Sequence, residues 1–578
     1  MNTLLKLLLK GLLALIAFVV LGLFIASLAI DANRFKPEIE SAAASAGIEL
    51  AVEGDIAWQL LPLGIALNQV NFTLNNKSMA GNADQLAISV NFKTLASLIS
   101  QSPQLPISHI KVKNSRVLLA IPNSLPVQLS QINLAVDNIN TQGQPFTYSI
   151  DLLAPYSVKI SSSAALNIAL NDLQQPESFS VNNLDLSIND LSIKGYVEGS
   201  EGLNKIQGQL SADSFDLIKQ LKVVSRFIPE LEAPRMVDPK ALTDIAFEGF
   251  FDLVLDGFST IQSTLSIDGQ AIEISSEIDQ ENLKLYTAIS ANQLKLDGYA
   301  SQSNSGSANP VLFAPLAIPM ALWHGQSQME LNIAELNIGA ASLTNIYGNL
   351  IGNQNIFRLS SLSGDLFDGQ INLSGELNMQ SRTPSFSVDS SVSNIDLNRA
   401  SQFFDELNLG GELNFSSNIK GSGYDGYSVM QSLAGSGQLV INSPRYQGIN
   451  LEQTLCNAAA LFSGKMPAVK DWSEDTQLDD LTASLSLRGD SLSVTEYSTQ
   501  LGNVDFYGSS SLNLSSLRYK LNATALATQS KSSAMGCTIN PMIVEREIPF
   551  RCKGAIGETF NCKPDNSLIK TLLLSPKL

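Results

Sequence analysis

Along most of the chain, apolar and polar residues alternate with a period of two, and clusters of Gly, Asn, Asp and Ser separate the alternating runs. Leu184-Asp185-Leu186-Ser187-Ile188 is followed by Leu191-Ser192-Ile193-Lys194-Gly195-Tyr196-Val197. Further on come Ile371-Asn372-Leu373-Ser374-Gly375-Glu376-Leu377 and Leu481-Thr482-Ala483-Ser484-Leu485-Ser486-Leu487. Successive side chains of a strand point to opposite faces, so each run predicts a strand with one Leu/Ile/Val/Phe face and one polar face. Many such strands in series predict an antiparallel sheet wetted on one side only. Gly364–Asn378 and Gln500–Asn513 also share a layout, in which an apolar pair (Ile371/Leu373, Val504/Phe506) precedes a glycine (Gly375, Gly508) and then a leucine (Leu377, Leu512). That layout suggests a repeated strand pair.

Short helical patterns interrupt the strands. Leu217, Ile218, Leu221, Val224 and Ile228 fall on one helix face, with Ser214 as the expected N-cap. Glu452–Phe462 and Asn398–Leu407 are similar candidates, each expected to cover an open sheet face or end. Ser301–Pro319, rich in Ser and Asn and carrying three prolines, reads as a loop or linker and sets a soft boundary.

A continuous apolar stripe has to be covered by something. One solution is a β-sandwich or solenoid that buries its own apolar face; the other is a sheet curled into a trough whose apolar face is covered from outside the chain. The low aromatic content, 7%, and the dominance of Leu, Ile, Val and Ala at inward positions suit a trough lined for acyl chains, each buried CH₂ of which contributes ~0.8 kcal/mol. Periodicity alone leaves both open and leans toward the self-buried sandwich or solenoid.

The first thirty residues set the compartment. Gly11–Ile30 is a run of twenty residues in which Ser27 is the only polar side chain. At ~1.5 Å per residue it spans a hydrocarbon core of about 30 Å. Lys6 and Lys10 precede it, which places the N-terminus in the cytoplasm. Gly11, Leu15, Phe18, Leu21, Phe24 and Ile30 represent this anchor. The rival reading, a cleaved signal peptide, requires a shorter apolar core than this one. The expected organisation is therefore a cytoplasmic tail (1–10), an anchor (11–30), an N-terminal β region (31–300), a loop (301–319) and a C-terminal β region (320–578).

Composition narrows the chemistry. With 36 basic against 54 acidic residues, a net charge of -18 and only 16% charged residues, the 578-residue chain lacks the basic field that nucleic acid or wide docking on anionic headgroups needs. At 44% hydrophobic residues it is not a disordered chain. His109 and His324 are the only histidines, and no His-rich metal centre or cofactor is called for. The sequence contains no nucleophile elbow, zinc-protease helix motif, phosphate loop or dinucleotide fingerprint. Ser463-Gly464-Lys465 is followed by Met466 where a phosphate loop needs Ser or Thr, and Asp479-Asp480 and Glu474-Asp475 read as solvated turn residues. A Ser/His/Asp triad would have to use His109 or His324, and neither has a signature beside it; no enzymatic activity is expected.

Four cysteines, Cys456, Cys537, Cys552 and Cys562, sit in the last quarter, an even number that suits two disulfides in an exported region. There is no CxxC pair to favour a metal. If Ile548–Cys552 is a strand returning against Tyr519–Leu526, Cys552 lies at the far end from the loop holding Cys537. That separation exceeds the ~6 Å Cα spacing a disulfide allows. Cys552–Cys562 with Cys456–Cys537 is the expected pairing.

Several stretches together resemble the AsmA family. After the anchor come Phe35-Lys36-Pro37-Glu38-Ile39, Gly47-Ile48-Glu49-Leu50, Gly54-Asp55-Ile56-Ala57-Trp58 and Leu61-Pro62-Leu63-Gly64. The C-terminal third matches with Leu433-Ala434-Gly435-Ser436-Gly437-Gln438-Leu439 and Gly448-Ile449-Asn450-Leu451, where Asn450 replaces the family's usual Asp. Cys456, Thr476, Leu481, Gly489, Gly508, Ile548-Pro549-Phe550-Arg551-Cys552 and Cys562-Lys563-Pro564-Asp565 continue the pattern, with Leu478 where Phe is more usual. From Val70 to about Ala340 the likeness is one of overall character.

The resemblance implies a mainly β protein: an N-terminal transmembrane helix followed by an elongated, curled antiparallel sheet forming a repeating β-groove with a few short covering helices. It also implies the inner membrane of a Gram-negative cell, the bulk of the chain in the periplasm, and a part in phospholipid movement toward the outer membrane and in envelope integrity. About 30 strands at ~4.8 Å spacing would give a sheet on the order of 140 Å long, so bridging the envelope would call for a protein partner. The expected ligands are phospholipid acyl chains, bound at inward positions represented by Ile371, Leu373, Leu485, Leu487, Leu492 and Val494. The alternatives are a scaffold or chaperone-like factor that holds extended outer-membrane clients at exposed strand edges, and a purely structural envelope protein.

Overall fold

A computed structural model describes residues 31–45, 47–60, 62–74, 78–90, 107–120, 127–139, 145–170, 176–226, 236, 238–299, 325–339, 341–402, 409–448, 450–453, 456, 471–529, 544–555 and 562–564. The anchor at 11–30, the loop at 301–319 and Cys537 lie outside them. Among the described residues no helix is long and apolar enough to cross a membrane.

Two compact units account for the chain, one made of residues 1–234 and 242–269, the other of 235–241 and 270–578. In the first unit the strands are β1 (Ile48–Val52), β2 (Ile56–Leu60), β3 (Leu63–Leu74), β4 (Met79–Val90), β5 (Ile107–Leu119), β6 (Val127–Asp137), β7 (Phe146–Ala154), β8 (Val158–Leu170), β9 (Pro176–Ile188), β10 (Leu191–Ser200), β11 (Lys205–Phe215), β12 (Ile245–Val254) and β13 (Phe258–Ile267). The second unit carries β14 (Gln270–Asp279), β15 (Lys284–Lys295), β16 (Gln326–Ile338), β17 (Ala341–Asn353), β18 (Ile356–Leu366), β19 (Gly369–Asn378), β20 (Ser385–Asp396), β21 (Leu409–Ser422), β22 (Ala434–Tyr446), β23 (Thr476–Gln477), β24 (Leu481–Arg488), β25 (Ser491–Leu501), β26 (Val504–Asn513), β27 (Arg518–Ala527), β28 (Glu547–Ala555) and β29 (Cys562–Pro564).

Within each unit nearly every strand pairs with the next in an open, curled meander, and extensive strand contacts are those between ladder neighbours. Several hairpins close through two residues at positive φ, such as Gln354-Asn355 and Phe367-Asp368, the primed turns whose twist matches the strands they join. The expected antiparallel sheet needs one correction: β15 and β16 run parallel. Parallel neighbours need a connection long enough to carry the chain back along the strand, and the residues between Lys295 and Gln326 provide it.

The helices are shorter than their apolar patterns suggested. The first spans Leu217–Val224 and is capped by Asp216, whose carboxylate accepts the Lys219 N–H at 2.8 Å; the expected cap, Ser214, donates instead to Asp244. Asp216 holds the extended φ/ψ of a cap two residues after Ser214, so the carboxylate and not the hydroxyl reaches the first turn. Leu397–Ser401 replaces the longer Asn398–Leu407, of which 403–408 lie outside the described residues, as does most of Glu452–Phe462. Gly426–Ser432, between β21 and β22, has a reciprocal capping box between Asp425 and Ser428.

Fully buried residues that pack on one another form only small clusters. In the first unit Ala32, Val52, Ile56, Leu67 and Val70 pack together beneath the helix Lys36–Ser45, with Trp58 at their edge. In the second unit Leu397, Ala400 and Ile441 pack where a short helix covers strand ends, and Cys456 packs with Leu501, Val504, Ala525 and Ala527. Most other inward apolar residues are only half-buried.

Candidate functional site

The strand registers decide which side chains share a face. In the second unit one row crosses the sheet through Ile371, Val392, Phe415, Leu439, Ala483, Tyr497, Gly508, Ala523 and Phe550. A parallel row runs through Leu362, Leu373, Ser390, Ser417, Gly437, Leu485, Val494, Ser510 and Leu521. A third carries Leu359, Gly375, Val388, Ile419, Gly435, Leu487, Leu492 and Leu512. None of these positions is charged. All six candidate residues lie on this face, in three adjoining rows, and all six are half-buried. The Ile371/Leu373 group and the Leu485/Val494 group stand four ladder steps apart, about 19 Å.

The opposite face is the polar one. It carries Arg358 and Glu376, paired at 2.9 Å, the Asn418 amide on Asp389 at 2.6 Å, and Thr482 on Ser498 at 2.8 Å. Alternation therefore separates two solvents: water on one side, and on the other a face that water covers only at a cost.

Between the two candidate groups the middle row is shallow. Ser390 and Ser417 bond each other through their hydroxyls at 2.6 Å, and Gly437 follows. A Cβ at Gly437 or Gly435 would sit 2.9 or 2.7 Å from the carbonyl oxygens of Ser416 and Asn418, so these glycines let β21 and β22 approach. The result is a dip flanked by Val388, Val392, Phe415 and Ile419. Tyr497 stands on this face too, and burial pushes its phenol up to about 12, so it remains a neutral donor there.

The first unit repeats the arrangement. One row passes through Leu67, Leu86, Val112, Leu134, Ile150, Ser162, Leu186, Ile193, Ala212, Phe247 and Leu265 without a charge.

His109 stands on the other face of β5. Its Nδ1 lies 2.6 Å from Ser108 Oγ and its Nε2 lies 3.8 Å from Asp137, a spacing too long for a hydrogen bond. Ser108 is 2% exposed and its hydroxyl donates to the Ser89 carbonyl at 3.2 Å. The three groups together offer no nucleophile that a substrate could reach. His324 lies outside the described residues.

At the C-terminal end neither Cys456 nor Cys552 is a free thiol. Antiparallel pairing of β27 with β28 sets Tyr519 opposite Gly554 and Leu526 opposite Glu547, as the sequence suggested, and sets Cys552 opposite Cys562 in the next ladder.

A model of the AsmA family matches residues 255–493, a stretch that holds Ile371, Leu373, Leu485, Leu487 and Leu492. Over 553 residues the chain is 21% identical to Protein AsmA of Escherichia coli (strain K12), an alignment covering 88% of this chain and 85% of that protein.

Proposed function

We propose, from its likeness to the AsmA family, that the chain is a member of that family and an envelope protein whose charge-free inner face binds the acyl chains of phospholipids and carries them toward the outer membrane, without a chemical step. Gly11–Ile30 would hold it in the inner membrane with the bulk of the chain in the periplasm. The observation that carries this reading is the pair of faces: uncharged, largely apolar rows cross β18–β22 and β24–β27 and stay mostly half-buried, while polar and charged groups face the other way. Covering such rows with methylene groups removes apolar area from water at about 25 cal/mol per Å². Headgroups would remain at the open edge, in water. In this compartment we read the cysteines as Cys552–Cys562 and Cys456–Cys537, bonds that pin the C-terminal strands.

The test is native mass spectrometry of residues 31–578, purified from their own envelope without detergent, beside the double variant Leu485→Asp/Leu487→Asp and an outer-face control, Ser484→Asp/Ser486→Asp. Several phospholipids per chain are expected in the wild type and in the control, and a loss of most of them in the inner-face variant with its circular dichroism spectrum unchanged. A folded, monodisperse, lipid-free wild type would sink the reading. Protein clients at the strand edges would then be sought by crosslinking.

A further inference from the structure

Charge is spread unevenly over the second unit. The chain has 36 basic residues against 54 acidic ones, yet β27 and β28 together carry four basic residues, Arg518, Lys520, Arg551 and Lys553, against one acidic residue, Glu547. The register puts all four cations on the outer face, because Leu521, Ala523, Phe550 and Cys552 take the inner positions between them. Lys520 stands directly opposite Lys553. The outer row that ends on these two lysines passes through Ser436, Ser486, Ser493 and Ser511, so no carboxylate answers them from β22 onward.

Like charges directly opposite each other, about 5 Å apart, destabilise a sheet. Arg518, Lys520 and Lys553 are exposed and enter no ion pair among the described residues. At the margins, the Asp490 carboxylate accepts the Asn513 amide and that of Glu547 the Tyr507 hydroxyl, each at 2.7 Å, while Asp505 accepts the Gln500 amide at 2.8 Å. Repulsion between the two lysines is therefore left standing in the free protein, a local cost that anions from outside would remove.

We propose that the outer face of β26–β28 docks on a membrane surface that carries anionic phospholipid headgroups, with Leu517 entering the interface beside the cations. Charge complementarity selects an anionic partner. The arrangement selects a membrane: the cations stand side by side on a sheet face, so they meet a plane of headgroups together. Ser509, Ser511 and Asn522 on the same face supply hydroxyl and amide groups for phosphate and glycerol oxygens. Leu517 closes the turn between β26 and β27, immediately before Arg518. It is 49% exposed and holds a left-handed φ of 53°, a conformation that bulky residues seldom take. An exposed apolar side chain beside exposed cations is the combination by which peripheral segments lie in a bilayer interface.

The net charge of -18 does not oppose this contact. At physiological ionic strength the Debye length is about 8 Å, so carboxylates farther than that from the headgroups are screened. Docking is then confined to one face, in place of the wide contact that the composition excludes. This inference does not rest on the proposed carriage of acyl chains, which uses the opposite face, so either can fail alone.

The test holds the full chain in phosphatidylcholine nanodiscs, so that the apolar run Gly11–Ile30 does not itself reach the vesicles it is mixed with. Co-flotation is expected with vesicles of phosphatidylcholine and phosphatidylglycerol, not with phosphatidylcholine alone, and it should weaken as salt rises. Each cation near such a surface contributes about fivefold, so Lys520→Gln/Lys553→Gln should weaken binding by a factor of roughly twenty. Lys520→Arg/Lys553→Arg should bind as the wild type does, and so should Lys111→Gln/Lys113→Gln on the outer face of β5. Leu485→Asp/Leu487→Asp, aimed at the inner face, should leave docking unchanged. Lys520→Gln/Lys553→Gln also removes a like-charge pair, so it should melt slightly above the wild type; a lower melting temperature would mean that the fold itself holds the lysines and would count against the proposal. An environment-sensitive dye on Leu517→Cys should shift to the blue on the anionic vesicles. Equal binding to neutral vesicles, binding unchanged in Lys520→Gln/Lys553→Gln, or an unmoved dye on bound vesicles would each overturn the proposal. Displacement by inorganic phosphate beyond that by chloride at equal ionic strength would assign the cations to a soluble anion and overturn it as well.

Discussion

Asp475 shows how single polar side chains fix the C-terminal turns that frame the apolar face. Its carboxylate accepts the Gly448 N–H at 3.0 Å and meets the Arg445 guanidinium at 2.6 Å, while Leu451 donates to Thr476 Oγ1 at 2.8 Å. The Gly448 N–H first, and Arg445 after it, hold the Asp475 carboxyl below the usual aspartate range. A carboxyl whose folded-state pKa is depressed stabilises the fold above its unfolded value of about 3.9 and loses that contribution as pH falls through the lower folded value. The Asp475→Asn variant should therefore melt below the wild type at pH 7. The gap should narrow as the pH falls below about 4, the unfolded value, and go on closing as it passes through the lower folded value. Melting curves across that range check it, and a gap that stays constant with pH would place the effect in something other than the charge.

At the scale of elements, alternation made the strands legible and also marked where legibility stopped. Ile371, Leu373, Leu485, Leu487, Leu492 and Val494 could be placed on one face because each belongs to an unbroken apolar alternation. Ser390, Ser417 and Gly437 share that face but break the apolar count, so β20–β22 did not announce their share of the site. In β25 the phase slips: Leu485 faces Val494 but Ala483 faces Tyr497, and the bulge at Thr495-Glu496 returns Tyr497, Thr499 and Leu501 to the inner face after two polar residues. The repeated glycines were visible as a pattern, and their cause was not. At Gly375 a Cβ would stand 2.5 Å from the Ser387 carbonyl oxygen, and at Gly508 it would collide with that of Asn522. The parallel pair was hidden because period-two alternation carries no strand direction. Pairing of β28 with β29 puts Cys552 and Cys562 opposite each other, so peptide mapping without reductant should recover one linked fragment joining the peptides around these residues. A second fragment should join Cys456 to Cys537. A fragment joining Cys456 to Cys552 would refute the pairing.

For the whole chain, the decisive contrast is between a net charge of -18 and rows of inner positions that carry no charge at all. Charge on the outer face suits contact with water, and on the proposed reading it lies on the wrong side of each strand to recognise a ligand held against the apolar rows. Affinity for a lipid-like ligand should then follow its hydrocarbon and ignore its ionic surroundings. With a series of zwitterionic lysophospholipids differing only in chain length, each added CH₂ should tighten binding by ~0.8 kcal/mol, about fourfold in Kd, until the chain outgrows the rows it covers. Raising the salt from about 0.02 M to about 0.5 M shortens the Debye length several-fold and should leave those constants within about a factor of two. Titration calorimetry on residues 31–578 reads both effects, and a negative heat-capacity change should accompany binding. Affinity flat in chain length but steep in salt would mean that headgroup charge is what the protein reads, and the apolar rows would then need another occupant along their whole extent.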